Sequence, residues 1–272
     1  MSIVNMPRTG IWLFPSAPVG DLVDAVVAAD VAGVDEAWIA DEGVMREPLV
    51  ALSAAAVLTK RIRLGIGITT PVLRHPGAIG SSIATLDELS GGRAILGFGV
   101  GGSLTLEPFG LTADKPVARI RDAIRIARAV IERQPADGYS LPAHAMPARN
   151  VPIFVASRGE QINRLASRDA DGAFLSGVAL HDLARQVGLV RSARPIHVAL
   201  YPSVRFAPNS VGEDPSAFYG SPNEVAAGLA ELVREFSPES IGLCLVDGGP
   251  VAEMTASAIA TLHELRRLLN NN

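Results

Sequence analysis

The sequence has 272 residues, a formal net charge of −4, and 48% hydrophobic residues. Acidic and basic residues are interspersed, which argues against nucleic-acid binding, and no apolar segment reaches the roughly 18 residues of a membrane span. The single cysteine, Cys244, excludes an intramolecular disulfide. Together with a start that does not resemble a signal peptide, it predicts a cytoplasmic protein.

Strand-like and helix-like segments alternate along the first half of the chain. Apolar strands are predicted at 10–14, 36–40, 62–69 and 93–99, and helices at 21–32, 48–59, 76–89 and 115–132. Pro48 stands at a helix start, where its missing N–H is harmless, and the pair Gly91-Gly92 is typical of a helix end.

The same alternation continues through the second half. Strands are predicted at 151–156, 172–176, 196–204 and 241–246, and helices at 160–167, 181–191, from residue 221 onward, and at 252–269. Ser221 and Glu224 have the spacing of a capping box. Segments 103–110, 134–150 and 205–220 are predicted to be loops.

Eight apolar strands alternating with eight helices predict a parallel sheet that is buried on both faces. No segment resembles an interdomain linker, so we expect one domain over 1–272. The number of units favours a closed (β/α)8 TIM barrel over an open, doubly wound sheet.

The active sites of such barrels lie where the strands end, which selects candidate residues by position. Asp41 and Glu42 form a carboxylate pair that suits binding a hydroxyl or ring N–H, or accepting a proton; a helix cap or an ion pair with Arg46 is the alternative. Ser157, Arg158 and Gly159 precede a helix and suit a phosphate, with ordinary capping as the alternative.

Glycines are concentrated in residues 65–102, on two neighbouring strands. Their bare backbone predicts a floor for a flat ligand, with tight packing at the barrel mouth as the alternative. The GxGxxG spacing at 97–102 does not indicate a dinucleotide site, because a loop and not a helix follows it. The five histidines and one cysteine show no metal-ligand spacing, so no metal is expected.

The segment RHPGAIGSSIATLDELSGGRAILGFGVGG resembles the signature of the bacterial-luciferase-like monooxygenase superfamily, and the resemblance extends over nearly the whole chain. It looks closest to the branch that uses the deazaflavin coenzyme F420, in particular to methylenetetrahydromethanopterin-reductase-like members. The resemblance implies a barrel with F420, or alternatively FMN, at its mouth. It also implies a homodimer with helix 48–59 at the contact, although the small residues of this helix equally suit packing on the barrel.

The resemblance carries roles over to particular residues. It implies a non-proline cis peptide at Gly67-Ile68 behind the cofactor ring, with Asp41 and Thr70 facing that ring. It further implies that two groups line the cofactor and its phosphate tail: Val100-Gly101 and Ser157-Arg158-Gly159.

Two departures separate this chain from the sugar-phosphate dehydrogenases of the same branch. Glu42 stands where they have a catalytic histidine, and Gly102 stands where they have a glutamate, so their acid–base pair and their substrate are not carried over. Segment 205–220 is also shorter than the insertion of many relatives.

The sequence therefore predicts an oxidoreductase that transfers hydride between F420 and a small organic substrate, with Asp41 and Glu42 as catalytic residues. The alternatives are an FMN-dependent monooxygenase and a cofactor-binding protein with little catalysis.

Overall fold

A computed structural model of the chain describes residues 6–136, 138, 140, 142, 147–156, 158–206, 214–246 and 249–271. The strands are β1 (Arg8–Leu13), β2 (Glu36–Ile39), β3 (Arg63–Thr69), β4 (Ala94–Phe98), β5 (Ile153–Val155), β6 (Gly172–Ser176), β7 (His197–Tyr201), β8 (Ser203–Arg205), β9 (Ala217–Tyr219) and β10 (Ser240–Leu245).

The helices are α1 (Val19–Val31), α2 (Pro48–Leu58), α3 (Pro76–Ser90), α4 (Ser103–Leu106), α5 (Pro116–Glu132), α6 (Glu160–Asp169), α7 (Leu183–Val190), α8 (Pro222–Phe236) and α9 (Val251–Asn270). Short 3-10 turns follow α4 and precede α7. None of these helices combines the length and apolar character that crossing a lipid bilayer requires.

Eight parallel strands close into a barrel, which confirms the predicted fold class. Strands β1 to β7 pair in sequence order, and β10 joins β7 to β1. The closing β1–β10 pair runs from Arg8 opposite Ser240 to Leu13 opposite Leu245. Closure removes the exposed sheet edges and brings all the carboxyl ends of the strands to one mouth.

The predicted strand 196–204 is wrong as a single element, because it divides at Pro202. Proline has no N–H to donate to a sheet ladder. Strand β7 ends at Tyr201, and β8 resumes at Ser203, where it pairs with Cys244 of β10.

The loop predictions for two segments are also wrong in part. Strand β9 lies within 205–220 and pairs with β8, while α4 and its 3-10 turn fill most of 103–110. Both elements are three or four residues long, which is too short for a hydrophobic period to show.

Most local signals predicted from the sequence are confirmed. Gly91 adopts a left-handed φ of 70° at the end of α3, and Pro48 stands in the first turn of α2. Ser221 and Glu224 form the capping box that begins α8.

Large aromatic side chains fill the barrel interior, although aromatic residues make up only 5% of the chain. Trp38, Phe154, Phe174 and Tyr201 are all buried and pack with ring centroids 4.5 to 6.4 Å apart. Cys244 packs in the same cluster, and burial raises the pKa of its thiol. It is a packing residue, as predicted, and not a nucleophile.

A buried carboxylate closes the end of the barrel opposite the mouth. Glu36 is fully buried and accepts hydrogen bonds from Tyr201 Oη and Ser240 Oγ, each at 3.1 Å. Arg8 and Arg63 lie 3.8 and 3.7 Å from its Oε1. Burial and the charge of Glu36 raise the pKa of Tyr201 well above its usual value.

Candidate functional site

The carboxyl ends of β2 to β6 enclose a two-part cleft, called the mouth cleft below. One part, of about 250 Å³, is bordered by Asp41, Glu42, Thr70 and Thr105. The other, of about 360 Å³, extends toward Val100, Ala156 and Gly177. Both parts share the following residues: Ile68, Gly101, Gly102 and Arg158.

The floor of the mouth cleft is an irregular stretch of β3. Its register against β4 shifts between Ile66 and Thr69, and the Gly67-Ile68 peptide bond is cis, as predicted. The indole N–H of Trp12, on β1, donates a hydrogen bond to the Gly67 carbonyl. Ile68 is half-buried and presents an apolar surface to both parts of the cleft.

The structure assigns the strand glycines to packing rather than to a ligand floor. A Cβ on Gly65 or Gly67 would lie 2.3 or 2.4 Å from the indole of Trp38, and one on Gly99 would lie 2.0 Å from Ile68 Cδ1. Of this glycine-rich segment, Gly101 and Gly102 are the glycines that border the cleft. The tight-packing interpretation therefore holds for the strands, and the ligand-floor interpretation stays a prediction for the loop that follows β4.

The two predicted carboxylates differ in their surroundings. Asp41 is buried and held on both oxygens, by Thr69 Oγ1 at 2.7 Å and by the Gly43 N–H at 3.3 Å. Glu42 is half-buried and accepts one hydrogen bond, from Thr105 Oγ1 at 2.6 Å. Its second oxygen accepts no hydrogen bond from the residues that the structure describes, which leaves it available to a ligand.

The pKa of Glu42 is raised above its ordinary value. Burial is the largest cause, and the charge of Asp41 adds to it, while the hydrogen bond from Thr105 acts in the opposite direction. Glu42 therefore keeps its proton to a higher pH than an exposed glutamate, which suits it to proton donation.

Arg46, which follows the carboxylates in sequence, and Arg74, which follows β3, make their shortest contacts with other groups. Arg74 pairs with Glu47 at 2.7 Å and lies 4.0 Å from Asp41. Arg46 donates to the Ser16 carbonyl, so the alternative of an Arg46 ion pair with the carboxylates is wrong. His75 accepts a hydrogen bond from the Gly77 N–H and caps α3.

Arg158 brings a positive charge to the far side of the cleft. Within the described residues no carboxylate lies within 4.0 Å of its guanidinium, which stands next to Gly177. Its backbone carbonyl accepts from Gln186 Nε2, which fixes the turn before α6. Gly159, which directly precedes α6, provides no side-chain cap, so the first N–H groups of the helix suit an anion.

The sequence-predicted site residues divide into three groups. Lining the cleft are Asp41, Glu42, Ile68, Thr70, Val100, Gly101 and Arg158. Gly67 lies beneath the floor, Gly159 stands at the start of α6, and Ser157 lies outside the described residues.

Sequence reasoning missed Thr105 and Trp12. Thr105 lies on α4, a helix of four residues in a segment predicted to be a loop. Trp12 lies on a strand that carries no polar signal, and its hydrogen bond depends on how β1 and β3 approach across the mouth. No sequence pattern predicts either contact.

The cleft combines an apolar floor, a glycine backbone, two carboxylates and one cation. This set fits a flat ring with polar edges and an anionic tail, since an arginine and an uncapped helix start bind phosphate well. Among the described residues, no cluster of three or more His, Cys, Asp or Glu side chains forms a metal site.

Comparisons with known proteins agree with this geometry. The family model described as luciferase-like monooxygenase matches residues 1–217. The chain is similar to the 5,10-methylenetetrahydromethanopterin reductase of Archaeoglobus fulgidus, with 28% identity over 277 aligned positions that cover 97% of this chain and 78% of that protein. It is 34% identical over 172 positions to an F420-dependent glucose-6-phosphate dehydrogenase of Kineococcus radiotolerans, covering 56% of this chain and 51% of that enzyme.

A solved structure shares the fold. The coenzyme F420 dependent tetrahydromethanopterin reductase of Methanopyrus kandleri superposes with a TM-score of 0.79 at 21% identity, over 97% of this chain and 99% of that one. At this identity the likeness establishes the barrel architecture.

Proposed function

The chain belongs to the luciferase-like monooxygenase family, and from this we propose that it is an oxidoreductase that transfers hydride between coenzyme F420 and a small organic substrate. The observation that carries the proposal is the convergence of the residues that the family resemblance implies. Asp41, Ile68, Thr70, Gly101 and Arg158 come from the carboxyl ends of four strands, β2 to β5, and line one cleft. The F420-dependent relatives supply the choice of cofactor.

The bound deazaflavin supplies a ring carbon that gives or takes hydride, and the protein supplies position and exclusion of water. Ile68 and the backbone at Gly101 would hold the ring, and Arg158 would hold the anionic tail. Besides the hydride, reduction of a carbonyl acceptor would consume one proton. Glu42 provides that proton at the acceptor oxygen, since burial raises its pKa and the charge of Asp41 adds to this effect.

Further assignments belong to this proposal. The protein works as a homodimer that forms through α2, and the barrel is a single domain over 1–272. It acts in the cytoplasm on a small molecule and not on nucleic acid, consistent with its net charge of −4 and its one, buried cysteine.

Binding titrations test the cofactor. The full chain is titrated with oxidised F420 and, separately, with FMN, following the fluorescence of each. We expect F420 to bind at least about tenfold more tightly than FMN. Arg158→Gln should weaken F420 binding about tenfold, because it removes a charge-assisted hydrogen bond to the tail.

Arg164→Gln is the matched control, since Arg164 is an exposed arginine on α6 that pairs with Glu160 outside the cleft. Its affinity for F420 should stay within about twofold of the wild type. Tight FMN binding without F420 binding would support a monooxygenase instead. F420 binding with no turnover of any small acceptor would leave a cofactor-binding protein.

A further inference from the structure

We propose that an apolar cavity beside the mouth cleft receives the substrate, and that the substrate is a small, uncharged and largely apolar molecule. The cavity lies between the ends of β1 and β10 and the start of α9, and will be called the side cavity. This inference rests on the proposed function, which it deepens by naming a substrate class.

The side cavity has a volume of about 310 Å³. Its described walls are formed by Leu13, Phe14, Leu245, Val246, Val251 and Met254. Ser16 contributes the one polar side chain among these described lining residues, and none of them is charged. This volume is at the lower end of the range for small-molecule sites, and such a lining favours an apolar occupant.

The side cavity and the mouth cleft stand on a common floor. Trp12, Ile68 and Val246 each pack on the aromatic cluster that fills the barrel. Ile68 borders the mouth cleft and Val246 borders the side cavity, while the indole N–H of Trp12 donates a hydrogen bond to the Gly67 carbonyl beneath the mouth cleft. The same aromatic cluster therefore supports both a ring held over Ile68 and one wall of the side cavity.

The charges around the mouth argue against an anionic substrate in the side cavity. Arg158 stands at the opposite end, among β5 and β6, where it suits the cofactor tail. Arg46, near the rim, is exposed and donates to the Ser16 carbonyl. A phosphate among the aliphatic walls would lack a buried cation, and burying an unpaired charge is strongly unfavourable.

Ligand-observed saturation-transfer NMR tests the binding site without the cofactor. The probes are 4-phenyl-2-butanone, which is neutral and apolar, and glucose 6-phosphate, which is a sugar phosphate. We expect saturation transfer to the ketone and none to glucose 6-phosphate. Met254→Trp, which fills the side cavity, should weaken ketone binding at least about tenfold.

A reciprocal variant separates the two sites. Leu104 borders the mouth cleft and is 63% exposed, so Leu104→Trp fills that cleft with little risk to folding. It should weaken F420 binding and leave ketone binding within about twofold, whereas Met254→Trp should do the reverse. Circular dichroism of both variants verifies that the barrel is intact.

Three results would overturn the proposal: no saturation transfer to the ketone, equal binding of glucose 6-phosphate, or unchanged ketone binding in Met254→Trp. The proposed function fails separately, if F420 does not bind while the ketone still binds in a Met254-dependent way. With F420 bound, kcat/KM should rise about tenfold or more from 2-butanone to 4-phenyl-2-butanone, because the added ring is buried. If kcat/KM is the same for the two ketones, the inference is contradicted.

Discussion

Glu42 is the residue on which the proposed chemistry depends most directly. It stands between a hydrogen-bond donor, Thr105, and a negative charge, Asp41, and these two neighbours act on its pKa in opposite directions. Burial adds the largest contribution and raises the pKa. A proton on Glu42 is therefore controlled by contacts that can be removed one at a time.

The pH dependence of turnover tests this role. Carbonyl reduction should slow as the pH rises through the raised pKa of Glu42, because only its protonated form donates. Glu42→Gln should lower kcat about 100-fold with little change in KM and should abolish this alkaline limb. A pH–rate profile of kcat measured with reduced F420 gives both quantities.

Substitutions of the two residues next to Glu42 should move the alkaline limb of the pH–rate profile in opposite directions. Asp41→Asn removes a negative charge and should shift the limb to lower pH. Thr105→Val removes a hydrogen bond to the carboxylate and should shift it to higher pH. If the limb stays in place in all three variants, Glu42 is not the proton donor.

Residue-level prediction from sequence succeeded where position along the chain was enough. Asp41 and Arg158 follow predicted strands, and the barrel rule alone brings them to the mouth. It failed for Gly65 and Gly99, since a glycine required by a ligand and a glycine required by a packed indole have the same sequence pattern. The side chains of Trp38 and Ile68 decide between the two, and their directions depend on the closed barrel.

Helix α2 is the element whose sequence conflicts most with its place in the fold. It lies on the outside of the barrel, yet Val50, Val57 and Leu58 are 61, 65 and 60% exposed. Val50 and Val57 are seven residues apart and share one face, so the stripe is continuous. A helix that is apolar both inward and outward normally has a second partner.

The homodimer proposed through α2 is tested by its exposed face. The wild-type chain should sediment as a dimer at tens of micromolar, and Val57→Glu should sediment as a monomer, because a carboxylate would be buried unpaired in the contact. Since Val57 is exposed, the variant should retain the barrel. Analytical ultracentrifugation measures the masses.

Leu111→Glu is the control for this experiment. Leu111 is a 38% exposed leucine in the loop after α4, away from α2, and its substitution should leave the dimer intact. A wild-type chain that is monomeric over this concentration range, or a Val57→Glu chain that remains dimeric, contradicts the α2 contact.

Elements were predictable from the sequence in proportion to their length. Helices α3, α5 and α9 have at least four turns, so that their apolar period and their end signals agree. The division at Pro202 depends on how one edge of β10 pairs, first with β7 and then with β8, and the short β9 depends on its pairing with β8. That pairing is set by the closure of the barrel and is not encoded in a local pattern.

The whole barrel separates a stabilising end from a functional end. Five strands begin with a residue of the polar network around Glu36: Arg8, Glu36, Arg63, His197 and Ser240. The mouth, by contrast, contains the mouth cleft and the side cavity. Substitutions at the Glu36 end should therefore affect stability with little effect on the site.

His197, at the Glu36 end, should make the folding stability of the barrel depend on pH. Its Nε2 lies 2.7 Å from Ser240 Oγ, and burial, aided by the charges of Arg8 and Arg63, lowers its pKa from 6.5 to about 4. The unfolded chain then takes up a proton below about pH 6.5, while the folded chain does so only near pH 4. Folding stability must fall as the pH falls through this window.

Urea denaturation at pH 7 and pH 5 measures the effect. The pKa difference predicts that His197 costs the folded chain about 2 kcal/mol between these two pH values. His197→Gln should remove this part of the acid destabilisation, although it loses some stability at pH 7. His263→Gln, on the outer helix α9, controls for the loss of a histidine. An acid-induced loss of stability equal in His197→Gln and in the wild type would mean that the barrel end does not hold His197 neutral.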